Sequence, residues 1–239
     1  EGKAFSLRNL KRPAESADTF EEIAKLYQID DDTNGYIRAK RAAACDWYEA
    51  KQWQNSLDGH LAAQAAIDPD ATPMSMGIDL LNIGTAQIKL NLHTEAVATF
   101  LSARKIFRGE KNPEYVNWAD QYLSIAYAAL ENGPESKFHA THYFNYSKVA
   151  EDMSMEGFAR YRLGIAHLLC HEYEDAECQL VAALEQLTLD ENKDWEDILG
   201  ANRALAKALV ALGKEEEAKT RLERIATIEE TICGDEKAA

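Results

Sequence analysis

One acidic stretch of this sequence has residue types and spacing that could bind calcium. Asp30, Asp32 and Asn34 take the oxygen-ligand positions of a calcium loop, and the position of its sharp turn follows at Gly35. Such a loop needs a bidentate glutamate at its twelfth position, but this chain has Arg41 there, whose cation would oppose the ion. We therefore interpret the stretch as an acidic turn that joins two helices.

Two histidines have a spacing that could hold zinc. His167 and His171 lie one helical turn apart, but the residue after His167 is not the glutamate that a metalloprotease motif requires. Both positions are also explained by packing and by a helix end, so packing is the favoured interpretation.

The cysteines share no CxxC spacing and are typical of free thiols in a reducing compartment, which predicts a cytoplasmic protein. They are Cys45, Cys170, Cys178 and Cys233.

The motifs of common enzymes are missing. No GxxxxGK[ST], GxGxxG or GxSxG occurs, so we expect neither nucleotide binding nor hydrolysis, no catalysis and no cofactor.

The chain has 41 acidic against 26 basic residues and a formal charge of −15. That charge disfavours nucleic acid and anionic membranes as partners. There is no apolar run near 18 residues and no signal peptide, and a start at Glu1 rather than Met suggests a processed or cut chain.

The elements that would position any site come from an internal repeat. Small residues recur at Ala44, Gly84, Ser124, Gly164 and Ala206, with spacings of 40, 40, 40 and 42. Apolar residues follow each anchor at helical spacing. A second helix would offer its own small residue so that the two backbones approach closely. These partners are Ala96, Ala140, Ala176 and Ala218.

This arrangement resembles the tetratricopeptide repeat (TPR) family over residues 37–232. The long period and the connectors at residues 108–113 and 233–236 resemble the kinesin light chain subtype. The resemblance implies an all-α fold, a right-handed α-solenoid of about five helix-turn-helix repeats. We expect about eleven helices, no strands and one elongated domain.

The repeat also predicts boundaries. We expect a flexible N-terminal arm over residues 1–17, then a capping helix over 18–29 with a capping box from Thr19 to Glu22. The repeat domain would cover residues 18–232, with a C-terminal tail at 233–239. Extra residues near Glu131 predict a late start for the second helix of the third repeat. The repeats themselves lie near 37–76, 77–116, 117–156, 157–198 and 199–232.

Helical geometry assigns one set of first-helix positions to a face that points away from the stack. In the resembling family this face lines a concave groove that holds peptides. Of thirty such positions six are basic and only Glu49 is acidic, and the middle of the row is aromatic. The residues that we expect to bind a partner are Arg38, Arg41, Tyr48, Asn82, Lys89, Trp118, Gln121, Tyr122, Phe158, Tyr161, Arg162, Arg203 and Lys207.

The function that follows is a non-catalytic protein interaction module, whose groove with an aromatic centre and basic flanks binds an acidic or amphipathic segment of another protein. One alternative is that these residues pack against neighbouring repeats. Another is a sensor region of a larger signalling or transcription-control protein whose effector domain is not in this chain. The chaperone-tail clamp of some TPR proteins is not expected, since only two of five positions suit it. Because exposed repeat ends can pair, the sequence is also compatible with a homo-oligomer.

Overall fold

The computed structural model describes residues 2–67, 73–189 and 194–238, with side chains described as far as residue 230. All regular secondary structure in these ranges is α-helical, which confirms the predicted all-α repeat fold. Each helix pairs with a neighbour along the chain. The helices are α1 (Gly2–Asn9), α2 (Pro13–Ile29), α3 (Thr33–Glu49), α4 (Trp53–Ala65), α5 (Pro73–Lys89), α6 (His93–Gly109), α7 (Pro113–Ala129), α8 (Gly133–Ala150), α9 (Met153–Leu169), α10 (Tyr173–Leu189), α11 (Trp195–Ala211) and α12 (Glu215–Ala238).

The forty-residue period consists of two helices of similar length. From α2 to α10 each helix begins twenty residues after the one before it, and α11 and α12 keep this spacing after one longer step. The predicted first helices, numbered from residue 37 onward, each begin about one turn earlier than expected. The predicted late start of the third repeat's second helix is wrong, since α8 begins at Gly133, twenty residues after α7 begins at Pro113.

Nine turns between helices, all within the described residues, share one backbone conformation. A residue with positive φ lies two positions before the start of the next helix, and a left-handed residue there ends a helix. These residues are Lys11, Asp31, Lys51, Asn91, Lys111, Glu131, Glu151, His171 and Gly213. In the acidic turn between α2 and α3, the side chain of Asp32 caps α3 by accepting a hydrogen bond from the amide of Gly35 at 2.8 Å.

Small residues let the paired helices approach closely. A Cβ at Gly84 would lie 2.4 Å from a ring carbon of Phe100, and one at Gly164 would lie 2.6 Å from Cγ of Leu180. In α8 the matching small residue is Ser136 rather than the expected Ala140. Its hydroxyl donates to the carbonyl of Ser124 at 2.9 Å, which keeps the twelve-residue spacing seen in the other pairs.

The N-terminal residues form a further helix pair rather than a flexible arm and a capping helix. Ala4 is fully buried, and it packs in one cluster with Phe20 and Ala43. The hydroxyl of Ser16 donates to the carbonyl of Ala4 at 2.9 Å, as Ser136 does to Ser124. The predicted capping box is also wrong, because α2 begins six residues earlier and Thr19 lies inside it, donating to a carbonyl of the same helix.

The chain divides into two compact units, Glu1–Tyr122 and Leu123–Ala239, where the sequence predicts one domain. Unit 1 holds α1 to α6 and the first part of α7, and unit 2 holds the remainder. The main hydrophobic core of unit 2 lies between α9, α10, α11 and α12 and includes fully buried Leu180 and Leu205. The helix α12 continues past residue 232, where the sequence predicts a tail.

None of the described helices has the length and hydropathy that a bilayer crossing requires.

Candidate functional site

Unit 1 contains a pocket of about 240 Å³ built mostly from the face that the sequence assigns to partner binding. Three successive first helices, α3, α5 and α7, supply six of its seven lining residues, and α4 supplies the seventh. Because these helices repeat with one period, side chains forty residues apart in sequence meet in one place. The lining residues are Cys45, Tyr48, Glu49, His60, Asn82, Thr85 and Tyr122.

Aromatic contacts hold the pocket walls in place. The ring of Tyr122 stacks on buried Phe100, with centroids 5.2 Å apart and planes 9° apart. Tyr48 makes an edge contact with Trp53 at 4.9 Å, and the ammonium of Lys89 lies 5.7 Å from the same indole. Such ring pairs contribute about 0.5–1.5 kcal/mol beyond burial of area, so the walls are fixed before a ligand arrives.

The pocket offers unused hydrogen-bonding groups. Among the described residues the side-chain amide of Asn82 has no hydrogen bond, and neither has Nδ1 of His60, whose side chain is 2% exposed. Cys45 is exposed on the wall, yet desolvation by the surrounding protein raises the pKa of its thiol. The cation of Arg8 opposes this shift, and nearby carboxylates add to it. The site therefore suits polar recognition rather than thiolate chemistry.

Three of the six predicted basic residues are neutralised by ion pairs within the chain. Arg41 binds fully buried Asp79 with 2.6 Å between Nη2 and Oδ2. The others are Arg162 with Asp197 at 2.9 Å, and Arg203 with Glu229 at 2.6 Å. At these three positions the predicted basic flanks are therefore occupied by ion pairs within the chain. The sequence did not reveal this because the acidic partners lie on neighbouring helices, outside the positions that the face assignment considers.

The remaining three predicted cations differ from these in lying free of ion pairs with the described side chains. Arg38, Lys89 and Lys207 are exposed, and none of them makes an ion pair within the described part of the chain. Arg38 and Lys89 belong to unit 1, at opposite ends of the first helices α3 and α5. Neither residue lines the unit 1 pocket, whose own lining includes the exposed carboxylate of Glu49.

The predicted aromatic residues of unit 2 pack into its core. Tyr161 is 6% exposed, and its hydroxyl occupies the space where a Cβ on Gly200 would stand. Burial raises the pKa of Tyr161. Phe158 is half-buried against the same core, and the guanidinium of Arg162 lies 4.5 Å from the Tyr161 ring. In unit 2 these residues therefore pack against neighbouring helices, as the alternative interpretation of the sequence expects.

The remaining candidates lie on α7 or at the end of α9. Trp118 and Gln121 are half-buried on α7, and neither lines the unit 1 pocket. Nδ1 of His167 lies 2.6 Å from Glu172, while His171 lies beyond the helix end with Tyr173 as its partner.

Glu172 and Asp175, rather than His171, are the groups close enough to His167 to share a metal ion with it among the described residues. Lys137 already binds Glu172 at 2.8 Å, so a cation would have to displace that ammonium. The predicted binding residues did not include Cys45, Glu49 or Thr85 of the pocket lining, and sequence reasoning also missed His60 in the lining and Asp79 next to it. His60 lies on a second helix, which the face assignment left out, and Asp79 lies 38 residues after Arg41, the spacing that also separates Arg8 from Asp46.

The comparisons with known proteins identify the fold. No protein-family model matches this sequence, and neither does any curated protein. The crystal structure of BtubC (BKLC) from P. vanneervenii superposes with a TM-score of 0.71 at 15% identity, covering 94% of this chain and 92% of that chain. The nearly identical TPR-like repeats of a putative kinesin light chain from Podosopora anserina give a TM-score of 0.55 at 15% identity, with 92% and 97% covered.

A third similar structure is NprR in complex with its cognate peptide NprX. It has a TM-score of 0.64 at 16% identity and covers 93% of this chain and 64% of that chain. The chain therefore has a TPR-like repeat fold of the kind found in kinesin-light-chain-like proteins, as its sequence predicts.

Proposed function

We propose that this chain is a non-catalytic protein interaction module that binds a peptide or helical segment of a partner protein. The main support for this proposal is the unit 1 pocket, in which side chains from three successive first helices line one cavity. A cavity of about 240 Å³ is below the usual range for a drug-sized ligand but suits one anchoring side chain of a longer segment.

The chemistry of the pocket selects an amphipathic segment. Tyr48 and Tyr122 supply apolar ring surface, and Asn82 supplies a side-chain amide that can both donate and accept hydrogen bonds. Arg38 and Lys89 supply positive charge near the ends of the face, where acidic residues of the segment would bind. One apolar or aromatic anchor with acidic residues nearby meets all three requirements.

Two features support binding by a preformed site. The stacked ring of Tyr122 and the ion pair that joins α3 to α5 hold the pocket without a ligand, so little conformational entropy is lost when a segment binds. The TPR-like NprR structure contains a bound cognate peptide, which is a precedent for peptide binding by this fold.

The test is selection of binding peptides from a display library with the full chain as target. We expect peptides that bind in a saturable manner and that lose at least about tenfold in affinity to the double variant Tyr122→Ala and Asn82→Ala, because an aromatic anchor contributes about 2 kcal/mol or more. Isothermal titration calorimetry measures the affinities. Circular dichroism shows whether the variant keeps its helical content.

The matched control replaces two exposed residues of a second helix, Glu95 and Lys105 of α6, with alanine. This double variant should bind the selected peptides with unchanged affinity. Equal loss in both double variants, or full binding by the pocket variant, contradicts the proposal.

A further inference from the structure

A second pocket, in unit 2, lies away from the first-helix face of that unit. It has a volume of about 320 Å³ and is enclosed by α10, α11 and α12, so two second helices form its walls and one first helix its base. This size is at the lower end of pockets that hold small organic molecules. Its lining residues are Val181, Leu184, Glu185, Thr188, Trp195, Ile198, Asn202, Arg221 and Arg224.

The charge of this pocket is opposite to that of the chain. Arg221 and Arg224 lie on α12, three residues apart and therefore on one side of the helix. Neither guanidinium has an ion-pair partner among the side chains that the structure describes, and the Glu185 carboxylate in the same pocket lies beyond ion-pair distance of both. The chain has formal charge −15, so two unpaired guanidiniums at one cavity are a specific anion-binding feature.

The pocket lining includes a buried acceptor with no hydrogen bond. Asn202 is 2% exposed, and its Nδ2 donates to the carbonyl of Ile198 at 2.8 Å, but its Oδ1 has no partner. Leaving such a group unsatisfied is unfavourable, because it has lost its hydrogen bonds to water without gaining another. A ligand that brings an N–H or O–H group to this oxygen would recover that free energy.

The walls between these polar groups are apolar. Val181, Leu184 and Ile198 supply aliphatic surface, and the indole of Trp195 supplies an aromatic one. A flat ring packs well against such surfaces. The lining thus combines a cationic pair, apolar side chains and a buried hydrogen-bond acceptor.

We propose that this unit 2 pocket binds a small aryl carboxylic acid that carries a phenolic or indolic hydrogen-bond donor. The carboxylate binds Arg221 and Arg224, the ring packs between α10 and α11, and the donor reaches Oδ1 of Asn202. The small volume of the pocket and its single buried acceptor favour a free small molecule over a long peptide. The site is separate from the unit 1 pocket and does not depend on the function proposed for it.

The probe is 3-(4-hydroxyphenyl)propionate, titrated into the full chain by isothermal calorimetry. We expect saturable one-to-one binding. The propanol analogue, which lacks the carboxylate, and 3-phenylpropionate, which lacks the hydroxyl, should each bind at least about tenfold more weakly, because a hydrogen bond to a charged or buried group contributes about 1.5–3 kcal/mol.

Two variants assign the contacts to residues. The double variant Arg221→Gln and Arg224→Gln should lose at least about tenfold in affinity for the probe, whereas Lys219→Gln, an exposed cation of the same helix outside the pocket, should not. Asn202→Leu should bind the probe and 3-phenylpropionate equally well, and thermal melting shows whether it folds. If it does not fold, the arginine pair and the two analogues still decide the outcome.

Three results would overturn the proposal. They are absence of saturable binding by the probe, equal binding by the arginine variant and the wild type, and binding only of a tyrosine-containing acidic peptide while the free acid fails. The last result would identify a protein partner in place of a small molecule.

Discussion

Asp79 is fully buried, and its carboxylate accepts hydrogen bonds from Nε and Nη2 of Arg41 at 2.9 and 2.6 Å. His60 lies next to this pair, with its Nδ1 3.9 Å from Asp79. A buried carboxylate is tolerated when a guanidinium binds it in this two-point geometry. Arg41 therefore joins α3 to α5 beneath the unit 1 pocket, a structural role in place of the binding role that the sequence predicts.

Replacing Arg41 with alanine should destabilise the protein by on the order of 3 kcal/mol, because Asp79 would remain as an unpaired buried charge. Urea denaturation measures the free energy of unfolding. The double variant Arg41→Ala and Asp79→Asn should recover part of the loss, since no charge then stays buried.

The matched control is Arg203→Ala, which breaks the exposed pair with Glu229 and should cost less than about 1 kcal/mol. A cost for Arg41→Ala as small as that of the control would show that the pair with Asp79 is not important for folding.

This pairing shows a limit of prediction from one sequence. Assigning faces by helical geometry uses each helix separately, so it places Arg41 on the partner face but cannot show that Asp79 lies opposite. The 38-residue spacing shared by Arg8–Asp46 and Arg41–Asp79 is a signal that could have revealed it. That spacing becomes meaningful only after the packing of successive first helices is known.

At the level of elements, helix pairing depends on small residues at the crossing points. Gly84 of α5 faces fully buried Phe100 of α6, with no room for a methyl group. Gly109 ends α6 and has no atom within 4 Å of the site where a Cβ would stand. A side chain would therefore clash at Gly84 but would fit at Gly109.

Gly84→Ala should destabilise unit 1 by about 1–3 kcal/mol, because the added methyl group would displace the Phe100 ring. Gly109→Ala should be neutral or stabilising by up to about 1 kcal/mol, since alanine favours helix and meets no clash. Thermal melts of both variants give the comparison. A stabilising Gly84→Ala would show that the two helices do not cross closely there.

A contact between α8, α9 and the turn before α10 makes the stability of unit 2 depend on pH. Glu172, in the turn between α9 and α10, binds Lys137 of α8 and His167 of α9. These hydrogen bonds, that to Lys137 foremost, lower the pKa of Glu172 below 4.5. A carboxyl with a lowered folded-state pKa contributes stability above its unfolded pKa, and this contribution is lost as pH falls through the folded pKa.

Glu172→Gln should therefore lower the melting temperature at pH 7 and should make it fall less steeply than in the wild type as pH drops below 4.5. Melting curves over a pH series measure this. Glu114→Gln, an exposed acid with no ion pair among the described residues, is the control and should keep the wild-type slope. Parallel curves for Glu172→Gln and the wild type would contradict the assignment.

The helical elements were largely predictable, because the small residues that allow close crossing recur every forty residues. The N-terminal pair was missed although Ala4 and Ser16 have the same twelve-residue spacing as Gly84 and Ala96. Its first helix is short and carries few apolar residues, so helical periodicity gave no signal there. The small residue at which α8 crosses α7 was expected at Ala140 but is Ser136. It was missed because the apolar pattern ignores serine.

At the scale of the whole molecule, side chains that the sequence assigns to the partner face line a cavity in unit 1 and pack into the core in unit 2. In unit 1 Tyr48, Asn82 and Tyr122 of that face lie around one cavity. In unit 2 the same positions hold residues that complete the core, among them Tyr161. Position on a helix determines which face a side chain lies on, but the size of its neighbours, such as Gly200, determines whether it is covered.

The central claim is that a partner segment occupies the unit 1 pocket, and Cys45 in its wall reports directly on occupancy. Cys178, exposed on α10 in unit 2, is an internal reference. The measurement is the rate of alkylation of each thiol, resolved by mass spectrometry, at mildly alkaline pH because the pKa of Cys45 is raised. With a saturating selected peptide, we expect alkylation of Cys45 to slow several-fold while that of Cys178 stays the same. An unchanged rate at Cys45, or slowing at Cys178 alone, would contradict the account.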